Sequence, residues 1–333
     1  MMSIMDEPHV LDERIKAAFS RWEWLALLGS ITVLSLCTGY HIRANHIPFD
    51  YYAYVVIADG TWDFFYYAYW SVPLFIALSK IPFFVGYYVW GLLNIAGTLF
   101  ATRLFGGRVL PVLMGFQLLY TLYFGSISGV IIGCLAIGWW AISHQRWNLA
   151  GGAFLVAMAK LQMGGMSVLL LLFLARISNG QRLRILLIPM IGAACSLIVY
   201  PQWPAILIER LNTHPPNDMG SISLWRWFGP IAFLIFVPPI LISMPRPSRF
   251  LALLAAAALG LPYFQQTDLL FLFSLPLVWP ALLGNLGYLF VFFRWEVLRI
   301  LFVVPLAVYV YVILMALRTI WLTHQASAQT PKG

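Results

Sequence analysis

The stretch Arg43 to Tyr69, RANHIPFDYYAYVVIADGTWDFFYYAY, decides how the rest of the chain is read. It follows an apolar run, Trp24 to Ile42, that is long enough to cross a bilayer. It carries three carboxylates (Asp50, Asp59, Asp63), a histidine (His46, with His41 just before it) and a dense set of tyrosines. Most of the remaining sequence is hydrocarbon. A charged side chain near a bilayer is costly and tends to sit where it has a task. The stretch therefore reads as a membrane-surface loop with Asp50 at its centre.

Working outward, the composition supports a lipid-facing chain. Of 333 residues, 62% are hydrophobic and 10% are charged, against about 25% charged in soluble domains. About eleven runs approach the roughly 20 apolar residues a span requires: 24–42, 83–104, 109–123, 126–144, 148–161, 163–178, 183–200, 228–244, 248–264, 267–284 and 299–320. The expected fold is all-α, a single polytopic integral membrane domain over 1–333 with about 11 transmembrane helices. A cytoplasmic amphipathic N-terminus (1–23), a first extracytoplasmic loop (43–82), a second (201–227) and a polar tail (322–333) complete it. The segment Met1 to Arg21 is too polar and too long for a cleavable leader.

Orientation follows from the basic residues. With the amino terminus cytoplasmic, Arg103, Arg108, Arg146, Arg176, Arg182, Arg184, Arg246, Arg249, Arg294 and Arg299 fall inside, as short loops require. The outside then holds Asp50, Asp59, Asp63, Glu209, Asp218 and Asp268, with few cations: Arg43, Lys80, Lys160, Arg210 and Arg226. The net charge of +8 records this sidedness, so nucleic acid is not an expected partner. The same alternation argues against 66–81 spanning; it reads as a helix lying at, or dipping into, the outer interface, the alternative being that it spans and another run does not.

Each candidate residue has a functional and a plainer reading. Asp50 could be a general base or a helix N-cap after Pro48. Asp59-Gly60 reads as a turn, and Asp63 as a cap or a helper carboxylate. Lys160, beside Gln162 and Gly164-Gly165 at the tip of a hairpin, could meet a phosphate or snorkel to headgroups. Arg226, between Trp225 and Trp227, could assist or merely anchor. Phe124 to Gly129 reads as a small-residue turn for close packing. Gln265, Gln266 and Asp268 could hydrogen-bond sugar hydroxyls or cap a helix. Cys37, Cys134 and Cys195 all lie in apolar runs, so no disulfide frame is expected. No zinc spacing, Walker loop or dinucleotide glycine motif is present, so neither cofactor nor metal is expected.

Four groups of residues, taken in order, carry a family resemblance. They are Phe49-Asp50-Tyr51-Tyr52-Ala53-Tyr54; Tyr66-Tyr67-Ala68-Tyr69 with Pro73-Leu74; Tyr123-Phe124-Gly125-Ser126-Ile127-Ser128; and Ala150-Gly151-Gly152-Ala153 with Ala157-Met158-Ala159-Lys160. Up to about Tyr200 the chain resembles the membrane-embedded GT-C glycosyltransferases, most closely the mannosyltransferase-like family 87. The family often has Gly-Gln-x-Asn where this chain has Gly125-Ser126-Ile127-Ser128. The resemblance implies transfer of a hexose from a polyprenyl-phosphate sugar to a lipid or glycan acceptor hydroxyl outside the cell membrane, with inversion. Asp50 would be the base and Lys160 the contact to the donor phosphate. His46, Tyr51, Tyr52, Asp63, Arg210, Arg226, Gln265 and Gln266 complete the expected substrate-binding set, with Trp62 and Trp70 as further stacking faces. The rival expectations are a carrier for lipid-linked sugars and a non-catalytic envelope scaffold.

Overall fold

The computed structural model describes residues 8–60, 65–213, 221–290 and 295–329. Its helices follow the apolar runs. In order they are α1 (Pro8–Lys16), α2 (Arg21–Ala44), α3 (Phe49–Val55), α4 (Val72–Ser79), α5 (Phe83–Phe105), α6 (Val109–Leu113), α7 (Phe116–Phe124), α8 (Ser128–Ser143), α9 (Trp147–Ala157), α10 (Met166–Leu174), α11 (Asn179–Val199), α12 (Trp203–Thr213), α13 (Trp225–Phe228), α14 (Val237–Leu241), α15 (Arg246–Gly260), α16 (Leu270–Phe273), α17 (Val278–Gly284), α18 (Gly287–Phe290) and α19 (Val303–Gln329). Among the described residues there is no strand; Ser221 and Gln265 form one isolated antiparallel bridge.

Four helical segments are long and apolar enough to cross a bilayer: α2, α5, α11 and Val297–Thr323, which runs from a 3-10 stretch into α19. A fifth crossing is possible if the bent pair Val109–Phe124 and Ser128–Ser143, which folds at 114°, counts as one. The other expected spans form shorter or interrupted helices. Pro230, Pro238 and Pro239 break 228–244 into α13, a 3-10 stretch and α14. Pro276 interrupts 267–284 between α16 and α17. The segment Tyr69–Ser79 is an eleven-residue apolar helix, too short to span at about 1.5 Å per residue. The last helix runs to Gln329, through most of the stretch expected to be a polar tail.

The N-terminal segment binds one end of the bundle. Ser20 and Glu23 form a capping box that starts α2. Glu23 pairs with Arg103 at 3.6 Å, and the Arg14 guanidinium donates to the Leu104 carbonyl. The Trp140 indole donates to Asp12 at 2.8 Å, and His144 lies 3.3 Å from the same carboxylate. Arg184 donates to Asn148 nearby in the chain from Arg146. The arginine-bearing end of α5 and the C-terminal end of α8 thus gather with the amino-terminal segment. The first loop packs toward the other end.

That loop descends between helices rather than lying over them. The Tyr51 ring meets Phe83 and Tyr87, and Tyr54 meets Trp90, so α3 follows the first two turns of α5. Asn94 lies eleven positions from either end of α5. Its side-chain carbonyl accepts the backbone N–H groups of Gly129 and Val130, at 2.8 and 3.2 Å. The start of α8 is therefore half-way along α5, about 16 Å from each end of that helix. The α9–Lys160–α10 hairpin is built from similarly short arms. The expected surface loop is thus a plug filling one half of the bundle, closed below by helix tips.

Candidate functional site

The polar centre forms where those tips meet the plug. Helical periodicity sets the first piece: in α3, Tyr51 and Tyr54 turn inward while Phe49 and Tyr52 turn out. Asp50 sits at the boundary and is partly exposed. Pro48 is the N-cap residue, extended, with no side-chain cap; Asp50 lies in the first turn. The Tyr54 and Tyr67 hydroxyls are 2.9 Å apart. Burial and the neighbouring Asp50 charge push both phenols well above their ordinary range.

The second piece is the turn after α7. Gly125 adopts φ +72°, and a Cβ there would come 2.5 Å from the Tyr51 Cβ. Only glycine lets α3 and this turn approach so closely. The Trp90 indole fixes it by donating to the Gly125 carbonyl at 3.0 Å. Ser126, its hydroxyl 3.4 Å from that of Ser128, opposes the burial-driven rise of the Asp50 pKa, and Ser128 donates to Asp268 at 3.2 Å. The N-terminus of α8, positive by its peptide dipoles, opens toward these acids.

The third piece is Lys160. It has extended backbone between α9 and a π turn, Leu161–Gly165. The turn doubles back so tightly that a Cβ at Gly164 would lie 1.8 Å from the Ala157 carbonyl oxygen. The first loop ties onto it: Ala68 N–H donates to the Ala159 carbonyl at 2.8 Å, and the Trp70 indole to that of Leu155 at 3.0 Å. Lys160 is 2% exposed. Its ammonium contacts Asp268 Oδ1 at 2.7 Å and Gln265 Oε1 at 3.0 Å. Asp268 is 1% exposed, and its second oxygen accepts the Gln265 N–H at 3.1 Å. Gln265 and Asp268 form the reciprocal cap of the turn that leads into α16.

Asp50 joins this pair electrostatically. Burial raises its carboxyl from 3.8 to about 6, with Lys160 and Ser126 pulling the other way and Asp268 adding to the rise. A carboxylate that titrates near 6 is ionised at neutral pH and still basic enough to accept a proton. Tyr120 and Tyr263 also lie within reach of its field. The centre therefore contains two acids, one ammonium and a ring of phenols, on elements far apart in sequence.

The expected site residues divide as follows. Asp50, Lys160, Gln265 and Gln266 come together. Lys160 is not an open cation, because two of its three N–H donors are already engaged. Gln266 is 1% exposed and its carbonyl oxygen has no partner. Tyr51 is fully buried, wedged against Gly86, Phe83 and Tyr87, so its ring has no face open to a ligand; this corrects the stacking role expected of it. Tyr52 remains on the exposed side of α3. His46 is exposed above α2, its Nδ1 3.2 Å from that of buried His41. Arg226 is exposed on α13. Trp70 is a carbonyl-bonded wall rather than a free face. Asp63, Trp62 and the Arg210 side chain lie outside the described residues. Near Trp70, Tyr69, Tyr200, Pro201, Gln202 and Trp203 line a groove of about 390 Å³. Among the described residues, no three His, Cys, Asp or Glu side chains form a metal site.

Sequence reasoning missed the Lys160–Asp268 pairing and Asn94. An amide in the middle of an apolar helix was the available signal for Asn94. Nothing local signals which acid meets Lys160. No protein-family model, curated protein or solved structure matches this chain.

Proposed function

We propose that the protein is a membrane glycosyltransferase that moves a hexose from a polyprenyl-phosphate donor to an acceptor hydroxyl, with Asp50 as general base. One observation carries the reading: a partly exposed carboxylate on the first loop, titrating near 6, is set beside a buried ammonium. The acceptor oxygen attacks the anomeric carbon from the face opposite the phosphate. The bond from that carbon to the phosphate oxygen breaks, its electron pair leaves with the polyprenyl phosphate, and Asp50 takes the hydroxyl proton. Inversion follows from the single displacement. Lys160 acts through its field on Asp50, while charge on the leaving phosphate is met by outer cations of the second loop, Arg226 and Arg210. The finer architecture belongs to the same proposal: about eleven apolar segments in a GT-C-like arrangement within a cell membrane, with several segments crossing only part-way.

The carrier reading draws on a specific feature, the buried Lys160–Asp268 pair half-way along α5, since ionisable groups at such depth often mark transport paths. One experiment separates the two. Purified protein in lipid nanodiscs is given radiolabelled polyprenyl-phosphate mannose and a mixed glycolipid acceptor extract. A labelled product of altered mobility, absent with Asp50→Asn, supports transfer. Movement of intact donor between leaflets of proteoliposomes, with no new product, overturns it.

A further inference from the structure

The carboxylate assigned as base faces a charge arrangement more elaborate than one lysine. From the π turn comes Lys160; from the turn ahead of α16, Asp268; from α3 itself, Tyr54; from the chain before α4, Tyr67; from α7, Tyr120; and from the segment after α15, Tyr263. Of these, Lys160 and Asp268 form an ion pair. Their contact is 2.7 Å, and each is held by further bonds: Lys160 to Gln265, Asp268 to Ser128 and to the Gln265 backbone. Asp268 therefore has no conformational slack, and neither has the ammonium it grips.

We propose that Asp268 is a positioning residue for the reacting carboxylate: it anchors the Lys160 ammonium, and with its own charge it sets how much net positive field reaches Asp50. The inference rests on Asp50 being the base. Without Asp268, Lys160 would act on Asp50 unopposed and hold it ionised to lower pH, making it a weaker base. Without Lys160, Asp268 would repel the Asp50 charge. The pair works as a setting, and its two members push in opposite directions.

The test measures the Asp50 carboxyl directly, by carbon-13 NMR of aspartate-labelled protein in nanodiscs, with the Asp50 signal assigned by its loss in Asp50→Asn. Transfer is measured in parallel as a pH profile of kcat/KM. Asp268→Asn is expected to move the Asp50 midpoint and the acid limb down by about one pH unit, and Lys160→Gln to move both up by about one unit. The double variant should return to within about half a unit of the parent, because opposed influences have both been removed. It also leaves neither member of the Lys160–Asp268 pair without its partner, so it is the measurement to use where a single variant does not fold. A midpoint unmoved in Asp268→Asn, or a double variant raised as far as Lys160→Gln, overturns the proposal. The NMR midpoint separates this from failure of the reading beneath it. Shifted midpoints with no transfer from any donor keep the electrostatic assignment and remove the reaction. An Asp50-dependent acid limb that ignores Asp268→Asn keeps the reaction and removes the positioning role.

Discussion

Asp50 is held in a place that costs the fold something, and the cost has a sign. Its folded carboxyl titrates near 6 against an ordinary 3.8. The native state therefore binds the proton more tightly than the unfolded chain does. Its contribution to stability is greatest below about pH 4 and is lost as pH rises through about 6. Asp50→Asn should raise stability at neutral pH by about 1–2 kcal/mol, allowing for the open side of the carboxyl, and flatten that pH dependence. A thermal-melt series from pH 4 to 8 reads both. The same substitution should lower transfer by about 10²–10⁴-fold. At Lys160 the sign is opposite: Lys160→Met strands a buried carboxylate and should cost about 3–5 kcal/mol in a denaturation series. Asp50 was legible in the sequence because a carboxylate within so apolar a chain stands out. Its neighbours were less so. Lys160 and Asp268 each stand out, but no spacing rule joins residues brought together only by the fold.

At the scale of elements, apolar runs predict where helices form better than how far they extend. The runs behind α2, α5 and α11 gave helices of nearly the expected bounds, α11 continuing through a single internal proline, Pro189. Those containing Pro230, Pro238, Pro239 and Pro276 did not, because each proline removes a donor and crowds the preceding turn. The packing of the first loop was not legible for another reason. Its tyrosines suit an interface, but equally suit a groove between helices, and only the glycines of α5 and of the turn after α7 distinguish the two. Gly86 admits the Tyr51 hydroxyl and Gly125 admits its Cβ. The Lys160 turn makes the sharpest test. Gly164→Ala would drive a methyl into the Ala157 carbonyl and should destabilise the hairpin by about 1–3 kcal/mol. It should also free the Lys160 segment for proteolysis, while Gly152→Ala, where a Cβ meets nothing within 4 Å, should leave the melt unchanged.

For the molecule as a whole, the arginine-bearing ends and the plugged half lie apart along the bundle. In a cysteine-free background, Gln202→Cys and Asn179→Cys should react with an impermeant maleimide from opposite sides of intact membranes; both native residues are exposed, at the two ends of α11. Labelling of both from one side would refute the orientation. The half-depth floor reaches further than topology. Only about 16 Å of helix lies beyond Asn94 toward the arginine end; in the proposed orientation that layer would be the insulating septum, and an imposed voltage should drop mostly across it. Moving a unit charge through 100 mV is worth about 2.3 kcal/mol, yet Asp50 would exchange its proton on the far side of that septum. The acid limb of the proposed transfer should therefore be indifferent to a potassium diffusion potential across proteoliposomes, and a rate that follows the imposed potential would refute this placement of Asp50.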